Sequence, residues 1–200
     1  MQNPYQAPVA DLSDASLLPS DEGVQPAGFW RRVGAHLLDT LFMLPVVGLT
    51  YWGSSLSRYF YAWWVVPGLL IGLFYSGYLV QRFGGTPGKL LMKLRVEMAD
   101  GSAVSTKAAF LRAGVLQLIG LATSLGLALS ALAMDDATYL SMGFMQRSEA
   151  LTSSGPGWQF ALTIAMQVWI WGSLVVLLVN KRRRAPHDFI AGTVLVSAAP

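Results

Sequence analysis

The sequence has 200 residues, enough for one domain or one compact bundle, and only 12% of them are charged, against about 25% in ordinary soluble proteins. Hydrophobic residues make up 54% of the chain, so the composition argues against a soluble enzyme and indicates a membrane-embedded protein. The chain has no cysteine and two histidines, which excludes disulfides, thiolate nucleophiles and Cys-rich or His-rich metal centres. We therefore expect no metal and no other cofactor.

Residues 1–28 form the first predicted segment, a disordered tail. They carry no Lys or Arg, four acidic residues and several Pro and Gly, a composition that buries too little apolar surface to fold. A secretory signal needs basic residues ahead of an early apolar core. This segment lacks them, so we expect the first membrane span to anchor the chain itself.

Four later stretches are long and apolar enough to cross a bilayer as helices, which takes about 20 residues each. Backbone polar groups find no partners in hydrocarbon, so each stretch must satisfy its hydrogen bonds internally. Trp and Tyr crowd the ends of these stretches, where amphipathic rings favour the membrane interface. The predicted spans cover about residues 33–53, 59–80, 113–134 and 158–179, and the predicted class is an all-α membrane protein in contact with the lipid bilayer.

The basic residues predict the orientation of these spans. Only Arg58 and Arg147 fall on one side of the membrane, whereas the other twelve Lys and Arg fall on the opposite side with both termini. The positive-inside rule places that richer side in the cytoplasm. The net charge of +3 is therefore interpreted as a topology signal, and no nucleic-acid partner is expected. The twelve residues are Arg31, Arg32, Arg82, Lys89, Lys93, Arg95, Lys107, Arg112, Lys181, Arg182, Arg183 and Arg184.

A small cytoplasmic β element is expected between and after the spans. Residues 93–99 alternate apolar and charged side chains and are followed by Asp100-Gly101, a tight-turn signal, which together are typical of a half-buried strand entering a hairpin. Residues 193–197 are rich in β-branched side chains. We predict that these two short strands pair.

Asp39 is the only charged side chain within the four predicted spans. Seven residues advance a helix by about 700°, so Arg32 and Asp39 lie within about 20° of each other in azimuth, with His36 on the same face. Asp39 is expected about 9 Å inside the membrane, where a carboxylate must be paired, hydrated or protonated. The candidate partners are Asp188 for Arg32, and Lys89 or Arg112 for Asp39.

Three motifs resemble the RDD family of bacterial membrane proteins. They are FWRRVGAHLLD from Phe29, GGTPGKLLMKLRVEMADGSAVS from Gly84, and RAPHDFIAGTVLV from Arg184. The family is named for an arginine at the start of its first helix, an aspartate within that helix and a second aspartate, which match Arg32, Asp39 and Asp188. The resemblance implies a bacterial inner-membrane domain over residues 29–200. Because sodium/proton exchange has been attributed to some members, it also makes ion exchange a candidate function.

Two local patterns imitate soluble motifs. The segment Gly84-Gly85-Thr86-Pro87-Gly88-Lys89 has one residue too few between its glycines for a phosphate loop, and Leu90 follows the lysine where that loop has Ser or Thr. We interpret it as a turn that folds against the membrane face and brings Lys89 near the buried acids. His187-Asp188 is similar to a metal phosphohydrolase pair, but the chain has too few further ligands.

Three classes of function remain open. A small transporter or exchanger of protons or sodium would use Asp39 as its titrating site, with Arg32 and Asp188 as a cytoplasmic gate and a homo-oligomer to enclose a path. A membrane scaffold or accessory subunit, bound to a second copy or another membrane protein, would use the same charges as a structural clasp. An enzyme is not expected, because no nucleophile–base arrangement or cofactor motif is recognisable.

Overall fold

The structure, a computed structural model, describes residues 27–180 and 183–197. The predicted disordered tail, apart from its last two residues, lies outside the described residues. Ala27 is fully buried, and its backbone N–H donates to the carbonyl of Leu195 over 3.0 Å. The chain is thus tied to its own C-terminal strand two residues before the first helix begins.

Four helices in the described part of the chain are long and apolar enough to cross a membrane, which confirms the predicted architecture. They begin or end up to two turns outside the apolar stretches, because a helix continues wherever its backbone bonds are met and needs apolar side chains only within hydrocarbon. The first span is α1 (Phe29–Leu56), and the second comprises α2 (Phe60–Leu73), a π-helical turn (Phe74–Tyr78) and α3 (Leu79–Phe83). The third and fourth are α5 (Thr106–Ala133) and α8 (Trp158–Val179).

Four short elements gather at one end of these helices, which we call the sheet end: α4 (Pro87–Leu91), β1 (Leu94–Met98), α9 (Pro186–Ala191) and β2 (Thr193–Ser197). The two strands form an antiparallel pair running from Leu94 opposite Ser197 to Met98 opposite Thr193. The predicted pairing is therefore confirmed.

The sheet end also contains the larger buried core. Leu94, Val96 and Leu195 from the sheet pack with alanines of α1 and α5 and with Val80 of α3. β1 buries alternate residues, whereas β2 buries four in succession and is therefore covered on both faces, because successive side chains of a strand point in opposite directions. The sheet thereby ties the loop after the second span to the chain after the fourth.

The opposite end carries a helical cap that the sequence did not predict, formed by α6 (Asp136–Ser141) and α7 (Phe144–Ser153). Arg147 is 5% exposed and donates to the carbonyls of Ser54, Tyr139 and Met142 over 2.8–3.3 Å. Its guanidinium also lies 4.7 Å from the centre of the Tyr139 ring. One arginine therefore joins both cap helices to the end of α1.

Candidate functional site: a buried charge cluster beside a cavity

Arg32, His36 and Asp39 share one face of α1, as their spacing predicts. All three line a cavity of about 380 Å³ at the sheet end, between α1 and the second half of α8. Lys89 of α4 and Arg112 of α5 line the same cavity. The structure thus brings most of the predicted site residues together.

Asp39 is held by three hydrogen-bond donors from two other elements. The Tyr75 hydroxyl and the Gly88 backbone N–H donate to its Oδ1 over 2.7 and 2.8 Å, and the Thr86 hydroxyl donates to its Oδ2 over 2.6 Å. The sequence had suggested Lys89 or Arg112 as its partner, and neither forms a hydrogen bond or ion pair with it. Asp39 instead fastens α1 to α4 and to the π-helical turn.

The Gly84 to Lys89 segment provides two of these donors because of its backbone conformation. Gly84 ends α3 in the left-handed conformation, with φ of 76°, Thr86 precedes α4 in an extended conformation, and Pro87 opens the helix. A Cβ on Gly88 would lie 2.3 Å from the Ala35 carbonyl oxygen. The absent side chain is thus what lets α4 approach α1.

The same segment does not present its donors as a phosphate loop would. The Gly88 N–H, which such a loop would direct at phosphate, donates to the Asp39 carboxylate instead, as does the Thr86 hydroxyl. Gly85 is enclosed by the side chains of Lys89 and Leu90 and by the Leu94 carbonyl. The segment is therefore a turn packed against the bundle, as its Gly and Pro content predicts.

Asp188 is fully buried and lies at the centre of a second cluster. The Arg112 guanidinium forms a direct ion pair with its Oδ1. The Thr193 hydroxyl donates to Oδ1 over 3.2 Å, and the Ala185 backbone N–H donates to Oδ2 over 2.9 Å as part of the α9 cap. Burial opposes ionisation of Asp188, but the positive charge of Arg112, together with His187, the Ala185 backbone N–H and Arg32, outweighs it and holds the pKa of Asp188 below the ordinary value.

Arg32 lies at the edge of the same cluster. Its Nη1 is 4.0 Å from Asp188 Oδ2, so the predicted meeting of these residues is found as a long ion pair. Its other nitrogens donate to the carbonyls of Ala27 and Leu195 over 3.2 Å each. Arg112, which the sequence had offered to Asp39, is thus the direct partner of Asp188, whereas Arg32 mainly holds the backbone at the two ends of the domain.

Lys89 and His187 are the remaining ionisable side chains that line the cavity beside these acids. Burial and the positive charge of Arg112 lower the pKa of Lys89 to about 8, against the opposing attraction of Asp39 and Asp188. Burial and Arg112 likewise lower the pKa of His187 to about 3. At neutral pH we therefore expect a charged Lys89 beside a neutral His187.

The sequence missed three hydroxyl side chains of the site: Tyr75, Thr193 and Ser173. The first two bond Asp39 and Asp188 respectively, and Ser173 of α8 lines the cavity. Tyr75 carried a usable signal, because it falls in the middle of a span rather than at the membrane interface where tyrosine is enriched. Ser173 carried a weaker one, as a hydroxyl in the most apolar span.

Comparison with known proteins places the chain in a family. The uncharacterized protein YckC of Bacillus subtilis (strain 168) is 29% identical over 181 residues, which cover 88% of this chain and 87% of YckC. No solved structure matches the chain. The family model of the RDD family matches residues 26–192, a range that includes Arg32, Asp39 and Asp188. The chain belongs to the RDD family.

Proposed function

We propose that this protein is a non-catalytic membrane scaffold or accessory subunit in which the Arg/Asp cluster is a structural clasp. The observation that carries the proposal is that both acids, the partly buried Asp39 and the fully buried Asp188, are occupied by donors from distant parts of the chain. Asp39 accepts three hydrogen bonds from the second span and α4, and Asp188 binds α5, β2 and the start of α9. A carboxylate has about four acceptor positions, so Asp39 keeps little capacity to ligate an ion.

An exposed amide on α8 supports a protein partner within the membrane. Gln167 lies near the middle of α8 with its side chain exposed, where a primary amide has nothing to bond with in hydrocarbon. No residue in the most apolar stretch of α8 is buried within the described protein. A second copy of the chain or another membrane protein at this helix would satisfy the amide by hydrogen bonding across the helices.

In this proposal the sheet end faces the cytoplasm and the protein resides in the bacterial inner membrane. The support is the concentration of basic residues at the sheet end, including Arg31, Arg82 and Arg95, against Arg58 and Arg147 at the opposite end. Fusions of alkaline phosphatase, which is active only after export, test the orientation. We expect activity for a fusion after residue 148 and none after residue 200, and the reverse pattern contradicts the orientation.

A second candidate function is proton or sodium exchange, favoured by one observation. The cavity between α1 and α8 reaches both Asp39 and Lys89, so two ionisable groups adjoin one space large enough for water. In this alternative an ion displaces part of the hydrogen bonding around Asp39. The scaffold proposal requires that bonding to persist.

Ion flux and stability measured on the same preparations separate the two candidates. The protein is reconstituted in liposomes, sodium and proton gradients are applied, and unfolding is followed in parallel; Asp39→Asn is compared with Asp100→Asn, a fully exposed acid at the same end. We expect no flux from the wild type and a loss of stability for Asp39→Asn only. Wild-type flux that Asp39→Asn abolishes at unchanged stability would overturn the scaffold proposal in favour of exchange.

A further inference from the structure

Two hydrogen-bond donors line the cavity between α1 and α8 without an acceptor among residues 27–180 and 183–197. The Ser173 Oγ is buried and makes no hydrogen bond, although serines within helices commonly donate to a carbonyl of the preceding turn, as Ser76 does to Gly72. The Lys89 ammonium lines the same cavity and forms no hydrogen bond or ion pair with any described residue. Since buried polar groups are nearly always satisfied, the buried Ser173 hydroxyl points to an acceptor that the described residues do not supply, and the Lys89 ammonium offers that acceptor a positive charge.

The charges around the cavity favour an anion as that acceptor. Arg32, Lys89 and Arg112 line it together with one acid, Asp39. The Asp39 oxygens are turned to their three donors, and Asp188 behind the wall is neutralised directly by Arg112. Lys89 is thus the cation of this group without a bonded partner in the described part of the chain.

The remaining walls are apolar and open sideways. They are formed mainly by aliphatic and aromatic side chains of α1 and α8. Leu37 and Trp171 line the cavity and are nevertheless 65% and 62% exposed. The cavity therefore opens between two membrane-spanning helices, at the level where charged side chains give way to apolar ones. The apolar residues contributed by α8 are Ile170, Trp171, Leu174 and Leu177.

We propose that this cavity binds the headgroup of an anionic phospholipid, whose phosphodiester accepts hydrogen bonds from Lys89 and Ser173 and whose acyl chain lies along α8. The volume of about 380 Å³ falls within the range of about 300–1,000 Å³ typical of small-molecule sites. A free phosphate would satisfy the two donors but not the apolar walls and the sideways opening. A lipid headgroup satisfies all of these features.

Native mass spectrometry of the full chain in neutral detergent tests the proposal. Phosphatidylglycerol is compared with phosphatidylcholine of identical acyl chains, and soluble glycerol phosphate and inorganic phosphate are added as competitors. Both lipids carry the phosphodiester, but the choline cation of phosphatidylcholine is repelled by the positive charges of Arg32, Lys89 and Arg112. We expect one phosphatidylglycerol to bind with at least about ten-fold preference, and neither soluble anion to displace it. Equal binding of the two lipids, or displacement by a soluble anion at similar concentration, overturns the lipid proposal.

Matched variants locate the binding in this cavity. Lys89→Gln should abolish most of the preference, whereas Lys107→Gln, the same change at an exposed position of the same end, should leave it within about two-fold. Ser173→Ala removes only a hydroxyl that has no partner. We therefore expect this variant to fold normally but to bind phosphatidylglycerol more weakly than the wild type does. If Lys89→Gln fails to fold, Ser173→Ala decides the question. Unchanged binding in every folded cavity variant contradicts the assignment.

Discussion

Replacing Gly88 by alanine tests whether the close approach of α4 to α1 holds the clasp together. The added Cβ would lie 2.3 Å from the Ala35 carbonyl oxygen and 2.7 Å from both the backbone nitrogen and Oδ1 of Asp39. Two of these atoms belong to the α1 backbone, so no side-chain rotation relieves the overlap. To bring the added Cβ to 3.0 Å from the Ala35 carbonyl oxygen, which is 2.3 Å away, α4 must move away from α1 by about 0.7 Å.

The expected cost follows from what that movement breaks. It lengthens the 2.8 Å bond from Gly88 N–H to Asp39 beyond ordinary hydrogen-bond length. Losing a hydrogen bond to a charged group costs about 1.5–3 kcal/mol, and overpacking adds about 1–3 kcal/mol. Alanine returns about 1 kcal/mol of helix propensity. We therefore expect Gly88→Ala to lower the free energy of unfolding by about 1.5–5 kcal/mol.

Unfolding by SDS in mixed micelles, followed by far-UV circular dichroism and the fluorescence of the seven tryptophans, measures this loss. Gly120→Ala is the control, because a Cβ on this α5 glycine meets nothing within 4 Å. It should leave stability unchanged or raise it by up to about 1 kcal/mol. If Gly88→Ala unfolds like the control, the close approach does not carry the stability that we assign to it.

Other changes extend the test to the rest of the cluster and to the cap. Asp188→Asn should lower the free energy of unfolding by about 3–5 kcal/mol, because it leaves Arg112 buried without its ion pair. Replacing Arg112 and Asp188 together by apolar side chains should recover part of that loss in the same unfolding assay. In neutral detergent, Lys89→Met should raise stability at pH 7 by up to about 3 kcal/mol. Because the folded-state pKa of Lys89 is lowered to about 8 from 10.5, the wild type should regain stability as pH rises from about 8 to 10.5; a gap between variant and wild type that is constant from pH 7 to 11 contradicts this. The preference for phosphatidylglycerol should fall over the same alkaline range as Lys89 loses its proton. Arg147→Ala should expose residues 136–153 to protease while leaving the sheet end intact, and unaltered cleavage would show that the cap does not depend on this arginine.

The sequence by itself determined the membrane architecture and the pairing of the two strands. Hydrocarbon forces every backbone group to bond within its own segment, so four long apolar stretches predicted α1, the second span, α5 and α8. The strands at residues 94–98 and 193–197 were predictable because period-two alternation and β-branched side chains are local signals. The shared face of Arg32, His36 and Asp39 was predictable for the same reason, since helix periodicity fixes azimuth within one element.

Only the tertiary structure decided which groups the buried charges meet. Arg112 binds Asp188 across 76 positions of sequence, and Asp39 receives a tyrosine hydroxyl from 36 positions away; helix periodicity carries no information about such distances. The cap at Arg147 was hidden likewise, because its arginine bonds backbone carbonyls, which every residue possesses. The cavity was hidden too, because it lies between α1 and α8 and is also lined by residues of α4, α5 and α9. Packing among such distant elements depends on shape rather than on local sequence pattern.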